Sequence, residues 1–154
     1  MFRKILIPTD FSKGAEVAIK KFIRENEMEV KEIVLLHVVD YNIIDTLVNG
    51  KELLYESEEE ETKDIERKLI DESKKKLNEI KESVKKIAGN TKIIVRVGIP
   101  YEEIIKIAEE ENVSLIILPS HGKLNFSHEI FGSTTMRVLK KTKKAVLLIK
   151  SFEG

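Results

Sequence analysis

Short apolar runs rich in Ile, Val and Leu recur along this chain, each divided from the next by a stretch with helical spacing. The runs are Arg3 to Pro8, Glu32 to Val39, Thr91 to Val97, Val113 to Leu118 and Ala145 to Lys150. They read as buried strands. Strands that alternate with helices form βαβ units, and βαβ units form a parallel sheet covered on both faces. Five strands with right-handed crossovers predict an α/β fold with an open, doubly wound parallel sheet. In such a sheet a ligand sits at the carboxyl ends of the strands, where the strand order reverses.

The helical stretches are equally legible. Asp10 or Ser12 can cap a first helix whose apolar positions are Ala15, Ala18, Ile19, Phe22 and Ile23. Tyr41 to Gly50 reads as irregular or a short helical turn. A long helix is expected from Glu58 to Ala88, with Ile65, Leu69, Leu77, Ile80, Val84 and Ile87 in one stripe and Ser73 as its gap. Gly89 and Asn90 read as its stop. Pro100 opens another helix, with Ile104, Ile105 and Ala108 facing inward. Ser133 to Lys141 is the last. The 154 residues predict one domain, 1–154, large enough for a core of its own.

Several functional classes are disfavoured at this level. There is no cysteine, hence no disulfide framework, thiolate zinc site or cysteine nucleophile. No apolar run approaches the ~18 residues that span a bilayer. Met1 to Pro8 carries basic residues without a long apolar stretch, unlike a secretory signal, so a cytoplasmic location is expected. Lys and Arg number 27 against 27 Asp and Glu, a balance that argues against steering onto nucleic acid or membrane. No Walker A pattern and no G-x-G-x-x-G occurs.

Where the first and fourth strands are neighbours, two polar loops converge: Pro8-Thr9-Asp10-Phe11-Ser12 and the stretch from Pro119 to Gly132. Gly132-Ser133-Thr134-Thr135 opens a helix, and free backbone N–H groups there, with the positive end of the helix dipole, suit a phosphate. The hydroxyls of Ser133 and Thr134 can add donors, and Gly122 permits a tight turn or close approach. The alternative is that Ser133 merely caps the helix and Gly122 only turns the chain.

Lys4-Ile5-Leu6-Ile7-Pro8-Thr9-Asp10-Phe11-Ser12, Leu36-His37-Val38-Val39 and the stretch from Ser120-His121-Gly122 to Gly132-Ser133 together resemble the universal stress protein family. The resemblance spans nearly the whole chain. It implies strand order 3-2-1-4-5, an adenine nucleotide alpha hydrolase-like, Rossmann-like fold, and a homodimer joined through the last strand, Ala145 to Lys150. The nucleotide-binding branch carries a Gly, two residues, a Gly, nine residues, then Gly-Ser or Gly-Thr. Gly122, nine residues and Gly132-Ser133 match; Pro119 stands where the first glycine would be. Proline lacks an N–H and has a fixed φ, so it narrows the pocket or removes a donor.

By the same resemblance, Asp10 and the backbone of Val38 face the adenine and ribose, with Pro8 and Thr9 lining that wall and Ser120 and His121 lining the phosphate channel. The implied ligand is ATP or a related adenine nucleotide, with Mg²⁺ or Mn²⁺ riding on its phosphates. Asp10 has a competing reading as a helix cap, and Val38 one as plain core. His37, inside an apolar strand, reads as a packed residue. His121, His128 and Lys123 are candidate phosphate contacts, and Glu129 is a lone acid, which is little support for a general base. No metal-site spacing occurs. The expectation is a nucleotide-binding stress or signalling protein with slow ATP hydrolysis at most. A dimeric interaction module whose pocket Pro119 closes is the alternative, and an adenylyl-transferring enzyme is the least supported.

Overall fold

The computed structural model describes residues 3–26, 29–49, 58–121 and 131–151. In chain order the elements are β1 (Lys4–Pro8), α1 (Lys13–Glu25), β2 (Val30–Asp40), α2 (Tyr41–Asn49), α3 (Glu58–Val84), β3 (Ala88–Gly98), α4 (Pro100–Glu110), β4 (Leu115–Pro119), α5 (Ser133–Lys141) and β5 (Ala145–Ile149). The five strands form one sheet in the order β3-β2-β1-β4-β5, with every pairing parallel. The chain runs outward from β1 to β3, then crosses back to β4 and β5. The order therefore reverses between β1 and β4.

Side-chain alternation along each strand builds two core layers. Ile5, Ile7, Ile33, Leu35, Leu115 and Ile117 face Ile19 and Phe22 of α1 and Leu77 and Val84 of α3. Leu6, Val34, Leu36, Ile116 and Leu118 face Ile104, Ile107 and Ala108 of α4 and Val138 of α5. Full burial of each Leu or Ile contributes ~1.5–3 kcal/mol. A third cluster joins Ile44 and Val48 of α2 to Val39, with Ile65 and Leu69 of α3 packed against it.

Helix boundaries follow local chemistry. Ser12 caps α1, its Oγ accepting from the Ala15 N–H at 3.2 Å; Asp10 is not the cap. Pro100 occupies the first turn of α4. Beyond its end, Asn112 takes a left-handed conformation (φ 47°) and Val113 N–H closes back on Ala108 C=O at 3.1 Å.

Three expectations are corrected. Tyr41–Asn49 is a helix of 9 residues rather than a turn, because Ile44 and Val48, one turn apart, both bury. The long helix ends at Val84, and Gly89 and Asn90 lie in β3 rather than stopping it. The reason is that β2 begins at Val30, two residues earlier than its apolar run, and offers ladder partners to Ala88 and Asn90. On α4, Ile107 is buried with Ile104 and Ala108, while Ile105 is half-buried.

Candidate functional site

A cavity of about 710 Å³ opens where the strand order reverses, at the carboxyl ends of β1, β2 and β4. That volume falls within the range of small-molecule sites, roughly 300–1,000 Å³. Pro8, Thr9 and Asp10 form one part of its wall, Leu36 to Asp40 another, and Pro119, Gly132, Ser133 and Thr134 a third. Pro8 to Asp10 of the first loop and the two ends of the second, Pro119 and Gly132, therefore face one space.

The turn after β1 is held by its own side chains. Thr9 Oγ1 accepts from Phe11 N–H at 3.1 Å, and Asp10 Oδ1 accepts from Ser12 N–H at 2.9 Å. The second Asp10 oxygen has no partner among the described residues. Phe11 sits at φ 62°, a left-handed conformation that costs a non-glycine residue about 1–2 kcal/mol. Ring contacts help offset that cost: His37 stacks on the ring at 4.3 Å between centroids, and Lys76 Nζ lies 5.0 Å from the ring centre.

β2 outruns β1, and this exposes main chain. The ladder ends with Pro8 opposite Leu36, and Thr9 N–H then donates to Leu36 C=O at 2.8 Å. In a strand, residues two apart turn their N–H and C=O to the same side. Those of Val38 therefore point past the end of β1, where no strand remains to pair with them, while its side chain is buried in the α4 and α5 layer. Val38 is thus core by its side chain, as one of its two readings had it, and borders the cavity with its main chain.

The third wall is a helix start. Gly132 is the N-cap of α5 and provides no side-chain cap. The first intrahelical bond runs from Met136 N–H to Gly132 C=O at 3.0 Å, so the amides of Ser133, Thr134 and Thr135 precede it without intrahelical partners. Ser133 is therefore in the first turn and does not cap the helix. Thr135 Oγ1 turns away and donates to Pro119 C=O at 2.8 Å. Pro119 has no N–H to offer the cavity, and this bond engages its carbonyl.

Ser120 and His121 do not line the cavity. They are buried behind it in a network with Ser151. Gly122, Lys123, His128 and Glu129 lie outside the described residues. Among the described residues no group of three or more His, Asp or Glu is placed to hold a metal ion, and no helix is long and apolar enough to cross a membrane.

The sequence reading missed four contributors. His37 lines the cavity, and its Nδ1 lies 2.7 Å from Thr9 C=O. A carbonyl only accepts, so Nδ1 carries the proton. The signal was positional: His37 follows Leu36, where β1 stops. Ser73 and Leu69 of α3 also reach the wall. Ser73 Oγ donates to Leu69 C=O at 2.7 Å, so the apparent gap in the stripe is buried and faces the site. Asp40 completes the wall, its Oδ1 accepting from Asn42 N–H at 2.9 Å.

Comparison with known proteins places this architecture. The model of the universal stress protein family matches residues 1–150. Universal stress protein MJ0577 of Methanocaldococcus jannaschii is 42% identical over 155 residues, covering 97% of this chain and 96% of the relative. Its solved structure superposes with a TM-score of 0.83 over 100% of this chain and 99% of that one. The crystal structure of hypothetical protein PH0823 matches at 52% identity with a TM-score of 0.82, covering 100% of this chain and 99% of that one. A more distant fold relative, the universal stress protein from Archaeoglobus fulgidus solved in complex with dAMP, shares 19% identity over 96% of this chain and 98% of that one, with a TM-score of 0.61. On the family match and the identity to MJ0577, this chain belongs to the universal stress protein family.

Proposed function

We propose that the chain, acting as one domain over residues 1–154, binds ATP or a related adenine nucleotide in the cavity between β1, β2 and β4. The observation that carries this is the uncapped start of α5 opening onto the same space as Asp10 and the unpaired main chain of Val38. The amides after Gly132 suit a phosphate tail. The Asp10 carboxylate suits ribose hydroxyls. The Val38 N–H and C=O together match the donor and acceptor on the edge of an adenine ring. The dAMP complex of the Archaeoglobus fulgidus relative supports the ligand class. Mg²⁺ or Mn²⁺ would arrive on the phosphates and keep most of its waters, since the described residues supply no cluster of metal ligands. The role is binding, in stress response or signalling, with slow ATP hydrolysis at most. Both carboxylates on the wall, Asp10 and Asp40, already accept main-chain N–H bonds at 2.9 Å.

The Pro119 wall favours a second reading, in which the same fold serves as an interaction module without nucleotide. Calorimetric titration with ATP and Mg²⁺ separates the two. Saturable heat supports the first; a flat trace at millimolar nucleotide refutes it.

The chain is also proposed to pair with a second copy through β5. That strand is at the sheet edge, with Leu147 38% exposed, and pairing across a two-fold axis would cover both. Leu148 packs against the α4 and α5 layer, so Leu147→Glu is the cleaner test. It should yield monomer in sedimentation, and a persistent dimer would place the interface elsewhere.

A further inference from the structure

We propose that Ser151, the residue two beyond the end of β5, is a positioning residue for the phosphate end of the cavity. The role rests on the nucleotide assignment above. Ser120, His121 and Ser151 are 5%, 7% and 6% exposed, so this is a buried polar cluster at the junction of two strand ends. Its geometry centres on one hydroxyl. Ser151 Oγ accepts from His121 N–H at 2.8 Å and donates to His121 C=O at 2.8 Å. A single side chain therefore holds the peptide groups on both sides of His121 and fixes the direction in which the chain leaves β4.

The clamp is locked in turn. Ser151 N–H donates to Ser120 Oγ at 3.1 Å, and Ser120 N–H donates to Ile149 C=O at 2.9 Å. Ser120 C=O accepts from Gly132 N–H at 2.8 Å. Gly132 is the N-cap whose following amides face the cavity. A continuous chain of bonds thus runs from Ser151 through His121 and Ser120 to the start of α5. Proton counting shows why a hydroxyl is required. Ser151 has one proton, and it is on His121 C=O. The contact between Ser120 Oγ and Ser151 Oγ at 3.3 Å must then use the Ser120 proton. That proton has a competing acceptor in His121 Nδ1, 3.2 Å away, when that nitrogen is unprotonated. An apolar side chain at position 151 would remove both Ser151 Oγ bonds from the buried main chain of His121.

Two measurements on the full chain test this. The first needs no nucleotide: amide hydrogen exchange should be at least about tenfold faster at His121 and Gly132 in Ser151→Ala, and close to wild type in Ser151→Thr. Unchanged exchange in the alanine variant overturns the clamp. The second is ATP affinity by calorimetry, expected to fall about tenfold in Ser151→Ala and to recover in Ser151→Thr. Wild-type binding that is matched by Ser151→Ala, or that threonine fails to restore, overturns the positioning role and leaves the nucleotide assignment standing. No binding by wild type overturns both. If Ser151→Ala does not fold, Ser151→Cys, with a weak S–H donor, should bind ATP several-fold more weakly than wild type. Wild-type affinity in that variant overturns the inference.

Discussion

The two ends of the sheet treat their polar groups in opposite ways. At the amino ends of the strands, charges are paired. Lys4 Nζ lies 3.1 Å from Glu111 and 3.7 Å from Glu32, and Lys92 Nζ lies 3.0 Å from the same Glu111. Ser114 donates both its N–H and its Oγ to Lys4 C=O, at 2.8 and 3.0 Å. At the carboxyl ends, the Val38 main chain has no strand neighbour on the β1 side, α5 begins without a side-chain cap, and Phe11 is held at positive φ. One end satisfies its groups internally, while the other keeps donors and acceptors for something else. In a parallel sheet both ends could have been closed in the same way, so the difference sets the carboxyl end apart as the candidate site without reference to any relative.

The largest expected effect breaks the open end alone. Gly132 has φ −65° and ψ 157°, an extended conformation any residue adopts, so Gly132→Val should fold normally. Its branched side chain would stand between a phosphate and the amides of α5. Losing two hydrogen bonds to a charged group at ~1.5–3 kcal/mol each predicts at least a hundredfold loss of ATP affinity. Binding at wild-type strength would show that the α5 start is not the phosphate site. Pro119→Gly sharpens the same end in the other direction. It restores an N–H on the wall and should tighten binding by about ten- to a hundredfold, the value of one such bond at ~1.5–3 kcal/mol. Unchanged or weaker binding would show that the proline is not an obstacle.

What the sequence made legible follows the same division. Runs such as Ile33 to Leu36 and the stripe through Leu77 and Val84 announce the core, because burial demands a repeating pattern that survives in one dimension. The convergence of Asp10 with Gly132 was legible too, since topology alone brings the β1 and β4 ends together. Contacts that depend on where a strand stops were not. His37 reads as core until β1 is seen to end opposite Leu36. Ser73 reads as a flaw in an apolar stripe until α3 is seen to pass the cavity. Gly89 and Asn90 resemble a helix stop because nothing local reveals that β2 extends back to Val30. The partnership of Ser151 with His121, 30 positions apart, has no local signal at all.

The smallest expected effect belongs to the closed end, and its sign follows from one carboxylate. Glu111 is held below the ordinary value of 4.5, first by its hydrogen bond to Lys92 and then by Lys4, against a partial burial that acts the other way. The folded state therefore keeps Glu111 ionised at a pH where the unfolded chain has begun to protonate it. Its contribution is fully present above the unfolded value and is lost as pH falls through the lower folded one. Exposed and half-exposed ion pairs of this kind contribute below about 1 kcal/mol apiece, so the change is modest. Glu111→Gln should lower stability at neutral pH, the deficit should shrink as pH falls below the ordinary carboxylate value, and 1 M salt should shrink it too. ATP affinity in this variant should equal wild type, because the pair lies at the far end of the sheet from the cavity. A deficit that persisted in acid would mean that Glu111 acts by packing rather than charge. A change in affinity would mean that the two ends are coupled through the strands, and the division between a closed end and an open one would no longer hold.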